Sequence, residues 1–537
     1  MSKAALHTIK SYHQQTKHHP HQYARAPSYM DWANQPLPYR LYEGAEIQPL
    51  PLLKQHKNHP YSALFKVVEQ PAEPLTLTSI ANMLELSLGL SAWKEYNGSE
   101  WALRINPSSG NLHPTECYLL LPELGPQAAS SVHYNPYLHS LELRAEIPAA
   151  AQQWLKHADG FALMLSSIAW REAWKYGERA YRYCQHDLGH ALGALSIACN
   201  LNGWQIQLLA NVPSEKAKRI LGLTLCNRLP AETEFVDCVC WVSRSTPDLA
   251  AVEQWFDSLA DLNYKHFANQ LSKDHQTWPI IDEVFLASQQ QRLTLTAAGN
   301  TRGASQVIDR VETNNLESAE RIIRQRRSAQ SYRQASSTLP LNTFLHNLHK
   351  TLPNNLIPFS ILPCQAQVHL LLFVHNVTGL ESGLYLWLRN EMHLPLLKMQ
   401  MDRRFEWTQV LEAQPLYLLE NGDFRSIAKT ISCNQDIAGD SAFSLAMLAQ
   451  FEAVLTDNPS HYPTLFWETG LIGQVLYLQA EAFGLRGTGI GCFFDDQMHE
   501  LLGLKGEQWQ SLYHFTVGKQ IDDNRLATKP AYYHLQK

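Results

Sequence analysis

The sequence predicts an α+β chain in which one fold, a sheet packed between helices, is written twice in tandem. Three observations carry this. First, the segment 181–223 recurs at 462–504 at a constant offset of 281 residues, without a gap. It keeps Tyr181/Tyr462, Gly189/Gly470, Leu195/Leu476, Gly203/Gly484 and the closing Leu221-Gly222-Leu223/Leu502-Gly503-Leu504, with Asp187 and Glu468 both acidic. Second, the predicted elements on either side follow the same order in both halves. Third, the copies differ at one informative place. Where the second reads Gly487-Thr488-Gly489-Ile490-Gly491, the first reads Ile206-Gln207-Leu208-Leu209-Ala210, so only the second can bring bare backbone against a flat ligand there.

The elements follow in order. Residues 1–60 are rich in His, Pro and Tyr, and Pro36, Pro38, Pro49 and Pro51 predict an extended arm wrapping a domain. Residues 61–245 form the first domain. From Leu77, Ile80, Met83, Leu84, Leu86 and Leu88 follow a helical period. The loop PSSGNLHP, the buried strand CYLLLP and the hairpin-like VHYNPYLHSLEL come next. The repeat helix buries one stripe, Ala191, Ala194, Leu195 and Leu201, matched by Ile472, Val475, Leu476 and Ala482, and each copy ends at a glycine suited to a left-handed cap. DCVCWVSR reads as the last strand of this domain, and the polar stretch 246–315 as the connection. The second domain, 316–537, runs through the helix ESAERIIRQRRS, the strand VHLLLFVH, the hairpin GLYLWLRNEMHLPLL and the closing strand YHFTVG. Phe443, Leu445, Met447, Leu448 and Phe451 stand at helical spacing and predict core or domain interface, as do Trp467, Tyr477 and Phe483.

Composition excludes several function classes. With 537 residues, 45% hydrophobic and 18% charged, the chain is an ordinary globular one. A formal charge of −6 without a long basic run argues against nucleic-acid binding. The polar N-terminus, and the lack of any run near the roughly 20 apolar residues of a membrane span, predict no membrane association and a cytoplasmic protein. The nine cysteines include no C-x-x-C pair, the closest being Cys238 and Cys240, which predicts reduced core thiols rather than a disulfide or a zinc finger. Cys433, with Asp436 and Asp440, reads as a turn and helix cap.

Three segments carry a resemblance: Arg326-Arg327-Ser328; Pro107-Ser108-Ser109-Gly110-Asn111; and Gly489-Ile490-Gly491 with Gly518-Lys519. Together, in this order, they resemble the FMN-dependent nitroreductase family, and especially its azoline dehydrogenase (SagB/ThcOx-type) branch, over most of 60–245 and 316–525. Such proteins are typically homodimers binding FMN between subunits, so the resemblance implies a nitroreductase-like fold in two tandem copies that form an intramolecular pseudo-dimer. The first half has Ser62 and Ala63 opposite Arg326 and Arg327, and the second has Pro363-Cys364-Gln365-Ala366-Gln367 opposite the PSSGN loop. All the losses fall on one site, which implies a single intact FMN site.

The resemblance also implies roles. Arg326, Ser328 and Lys519 would hold the flavin phosphate, and Arg327 the phosphate or the ribityl chain, charge-assisted contacts being the stronger kind. Gly489, Ile490 and Gly491 would meet the ring, and Pro107, Ser108, Ser109 and Asn111 would read its polar edge or the ribityl chain. Gln330 stands where the family often has a basic residue, which would stabilise the reduced flavin less. Lys175-Tyr176 match a catalytic Lys-Tyr pair, and copy two has Thr456-Asp457 there. The expected activity is a two-electron ping-pong oxidoreduction between a donor such as NAD(P)H and a small organic acceptor. Oxidation of a peptide-borne thiazoline or oxazoline, and a flavin-binding or scaffold role without catalysis, are the alternatives. A further dimerisation of the fused chain stays open. His186 and His190 have the spacing of a zinc-protease motif, but aspartate replaces its glutamate and copy two has Trp467 and Leu471, so helix packing rather than a metal is expected.

Overall fold

A computed structural model of the chain describes residues 3–536 except 54–56, 126, 227–228, 290–314, 354–356, 363 and 413. It contains two seven-stranded antiparallel sheets of matching order. The first runs Ile47–Pro49, Ser140–Glu146, Ser130–Asn135, Thr115–Leu121, Gly160–Ile168, Glu234–Ser243, Gln205–Leu208. The second runs Thr408–Gln409, Leu416–Asn421, Gly383–Trp387, Val368–Val374, Phe443–Gln450, Trp509–Gly518, Arg486–Ile490. In each, the strand that follows the repeat helix lies at one edge, beside the last long strand, so the differing segments 206–210 and 487–491 occupy equivalent places.

The repeat helices Ala180–Leu201 and Tyr462–Ala482 lie against each other between the sheets. The expectation of one buried stripe is too small. All of the first helix and nearly all of the second is buried, because one side meets its own sheet and the other meets the partner helix. The crossing point explains Gly189 and Gly470. A Cβ on Gly189 would stand 2.5 Å from the Trp467 carbonyl oxygen and 2.8 Å from Gly470 Cα, and one on Gly470 2.6 Å from Gly189 Cα.

Several local expectations need correction. The chain opens with a helix, Lys3–Gln15, rather than an extended arm. Prolines begin only at Pro20, and Ile9, Tyr12 and His13 form its buried face. Phe443–Gln450 is a central strand, not a helix. Both of its faces are covered, Leu445 and Met447 joining the core around the repeat helices and Ala446 and Leu448 the core on the far side of the sheet, so its apolar run has no visible alternation. GLYLWLRNEMHLPLL is not a hairpin. Gly383–Trp387 pairs instead with Val368–Val374 and Leu416–Asn421, and a helix, Leu394–Gln400, follows after the Asn390 side chain accepts from Met392 N–H at 3.1 Å. The expected connection contains the helices Leu249–Ser258 and Pro279–Ser288, and its residues 290–314 lie outside the described residues.

Each terminus crosses to the opposite half. The N-terminal helix binds the second half through Lys10 to Glu452 (2.9 Å) and His13 to Tyr462 (3.1 Å). The C-terminal strand Ala527–Lys529 completes a three-stranded sheet with Leu90–Tyr96 and Ser99–Arg104 of the first half. No described helix is long and apolar enough to cross a membrane.

Candidate active site

A cleft with ≈ 810 Å³ of empty space, its open mouth included, runs between the halves. The first half supplies Pro107, Ser108, Ser109 and Gly110 on one wall, with Tyr176, Tyr183, Asp187 and His190 from the helices behind them. The second half supplies Ser328, Tyr477 and Thr488 to Cys492. Nine of the residues expected from sequence or lying within those motifs thus share one cavity: Pro107, Ser108, Ser109, Gly110, Tyr176, Ser328, Gly489, Ile490 and Gly491. Lys175 stands at its edge. The Tyr176 hydroxyl and Lys175 Nζ lie 2.7 and 3.3 Å from where a Cβ on Gly110 would be.

The other expected residues stand around the cleft rather than in its lining. Asn111 turns its amide into its own half, donating to the Ala102 carbonyl (2.9 Å) and sharing a 2.9 Å hydrogen bond with His113. Gln330 is exposed. Lys519 Nζ donates to the Gly484 carbonyl at 2.8 Å. Arg326 is buried behind Tyr477, its guanidinium 5.1 Å from that ring, and Arg327 donates to the Ser91 carbonyl at 3.1 Å.

Their electrostatics are unusual. Neither Arg326 nor Arg327 makes an ion pair among the described residues; Arg326 donates to the Arg104 carbonyl at 3.0 Å, and its Nε has no hydrogen-bond partner. Burial, then the neighbouring Arg326 and Arg486, push Arg327 down to about 10, and burial lowers Arg326 as well. Glu481 is the near counter-charge, ion-paired with Arg486 at 3.8 Å, and beside it Arg326 and Arg327 leave a positive excess suited to an anion.

Tyr477 ties the motifs together. Its hydroxyl shares a 2.9 Å hydrogen bond with Ser328 Oγ and accepts from Gly489 N–H at 2.9 Å. A Cβ on Gly489 would collide with the Tyr513 hydroxyl and one on Gly491 with the Tyr183 ring, so both glycines are required by close packing. Sequence reading placed Tyr477 in the core. It is buried, but its hydroxyl faces the cleft.

Asp187 is the functional group that sequence reading missed. It accepts from Ser109 N–H and Ser109 Oγ, both at 3.0 Å, and fixes the PSSGN loop to the repeat helix. Burial raises it to about 7, against the lowering effect of those bonds. Glu172 is buried close by with neither carboxyl oxygen partnered, and burial, then the Asp187 charge, hold it well above the usual range. Burial, then Glu172, likewise keep Tyr176 protonated well above 10. The one available signal was that the acidic residue survives in both copies. In copy two, Glu468 accepts from Gln367 N–H (3.0 Å) but also pairs with buried Arg389, and only ≈ 350 Å³ of empty space remains around them. His186 and His190 serve the helix interface: His186 bonds Thr469 (3.0 Å) and stacks on Tyr513, and His190 reaches Tyr513 (3.2 Å).

The chain is a tandem α+β protein with a nitroreductase-like fold and a cleft between its halves. Residues 403–519 match the family model described as Nitroreductase family. A structure from Anabaena variabilis ATCC 29413, assigned as a nitroreductase, is similar over 96% of this chain and 99% of its own, with 21% identity and a TM-score of 0.70, and this shows the fold. The Escherichia coli microcin synthetase McbBCD complex with truncated pro-MccB17 bound aligns with 46% of this chain and 95% of its own, at 19% identity and a TM-score of 0.27. No curated protein matches.

Proposed function

We propose that this chain is an FMN-dependent oxidoreductase with one flavin site, in the cleft between its halves. The observation that carries the reading is the pairing of a two-sided, glycine-walled cleft with the buried guanidinium of Arg326 behind it, whose Nε has no hydrogen-bond partner. The residues fit FMN. Arg326, Arg327 and Lys519 would neutralise its phosphate, with Ser328 as a hydroxyl donor. Gly489 to Gly491 would face the ring from one half, and Pro107, Ser108, Ser109 and Asn111 from the other.

Bound FMN would supply two-electron transfer between a donor of the nicotinamide class and a small organic acceptor. The chain's own groups manage protons and position. Tyr176, held protonated, donates a hydrogen bond to the acceptor, and Asp187 can gain or lose a proton near neutral pH. Lys175 at the same edge supplies a positive charge for an anionic product. The Lys175-Tyr176 pair also favours a second reading, oxidation of a peptide-borne thiazoline or oxazoline. The protein is read as a self-contained pseudo-dimer, since both walls of the cleft come from one chain.

The test is the visible spectrum of the purified protein and the flavin released on heating. About one FMN per chain is expected. None, even after incubation with FMN, would leave a scaffold role, and two would mean that the Arg389–Glu468 side is open. Rapid bleaching by NAD(P)H would favour the first activity over the second.

A further inference from the structure

We propose that Cys433 and Cys492 form a dithiol redox site at the rim of the cleft, which reduces a low-molecular-weight disulfide and closes to an intramolecular disulfide. The inference does not rest on the flavin reading. The two residues are far apart in sequence but adjacent in space. Cys492 lines the cleft directly after the glycine segment. Cys433 sits in a turn where it and Asn434 both have left-handed backbone, φ 54° and 60°. The Phe494 N–H donates to the Ile431 carbonyl at 2.8 Å, and Gln435 Nε2 to the Cys492 carbonyl at 3.1 Å, so the two segments are stapled on both sides of the sulfurs. The two thiols are near enough that each is the foremost influence on the other's ionisation.

Both are half-buried, whereas Cys117, Cys184, Cys199, Cys238 and Cys240 are fully buried and inert packing groups. Tyr23 reaches over from the N-terminal segment, its ring 5.8 Å from Phe494. The pair is asymmetric. The Cys433 S–H, and then the Arg179 guanidinium, favour the Cys492 thiolate, while Cys433 is held as the thiol.

Cys492, the one of the two that lines the cleft, attacks the external disulfide through Sγ, forming a mixed disulfide and expelling one thiolate. Cys433 passes its proton to that thiolate, and its Sγ attacks Cys492 Sγ, expelling the second. Two electrons pass from the protein sulfurs to the substrate, and one S–S bond is broken as another forms.

The test uses the full chain, reduced and then incubated with glutathione disulfide, alkylated and mapped by peptide mass spectrometry. A single Cys433–Cys492 crosslink, reversed by dithiothreitol, is expected. Absence of that crosslink, or scrambled pairing with other cysteines, would overturn the proposal. The variants assign the order. Cys433→Ser should accumulate a glutathione adduct at Cys492, and Cys492→Ser should form its adduct at Cys433 at least tenfold more slowly. The reverse ranking would overturn the assigned roles. The wild-type mapping needs no variant to fold.

Discussion

The rings of Tyr181 and Tyr462, equivalent residues at the start of the two repeats, stack with centroids 5.6 Å apart and planes within 4° of parallel. Gly189 and Gly470, eight residues further along each helix, also touch. Equivalent positions that meet each other mark a local two-fold axis passing between the helices. The repeat is thus the interface of a dimer folded into one chain, and its glycines are there for helix-to-helix contact.

That geometry makes a stability prediction. A methyl at Gly189 gains about 1 kcal/mol of helix propensity. It must also displace the backbone of the opposing helix, and overpacking of this kind costs about 1–3 kcal/mol. Gly189→Val lacks the propensity gain and should lower the urea midpoint more than Gly189→Ala does. Equal midpoints for wild type and both variants would refute backbone contact at this crossing.

Asp187 predicts a pH effect with a definite sign. Its carboxyl keeps a proton to about 7 in the folded state. The unfolded chain releases it near 3.9, so the folded state binds more protons between these values and stability falls as pH rises through that window, by on the order of a few kcal/mol. Asp187→Asn cannot ionise and should lose this slope. Urea unfolding at pH 5 and pH 8 measures it. A wild-type minus variant difference that stays constant would show that Asp187 ionises freely.

What the sequence could show followed from local pattern. The buried strands at 115–121 and 368–374, the repeat helices and their caps at Gly203 and Gly484 were readable because each depends on residues close in the chain. The strand Phe443–Gln450 was not, since burial on both faces erases the alternation that marks a strand. At the cleft, motifs named the walls but not what joins them. Tyr477 looks like core because its ring is core, and only the fold shows its hydroxyl meeting Ser328 and Gly489. Cys433 and Cys492 carry no mutual spacing signal at all.

Arg326 separates binding from folding. A buried guanidinium without an ionic partner costs desolvation that its hydrogen bond to the Arg104 carbonyl (3.0 Å) and the Tyr477 ring offset only in part. Arg326→Met should therefore leave the flavin-free protein at least as stable as wild type in a thermal melt. It should also weaken FMN binding by about tenfold or more, the loss of one charge-assisted contact. A variant that is less stable without flavin, yet binds FMN normally, would make Arg326 a structural residue.

Tyr176 tests the proton chemistry. Its ring lies 4.4 Å from that of Tyr183, so Tyr176→Phe keeps the packing and removes only the hydroxyl beside Gly110. Because burial and Glu172 hold the phenol protonated, the role proposed for it is that of donor and not base at neutral pH. Losing a positioned donor should lower kcat by about 10²-fold. FMN content should not change, since the hydroxyl is on the substrate side. Lys175→Ala should instead act on KM for an anionic substrate. Steady-state kinetics on flavin-replete protein would decide the matter. Wild-type turnover in Tyr176→Phe with a substrate that the wild type accepts would remove Tyr176 from the reaction and leave Asp187 as the proton source in the cleft.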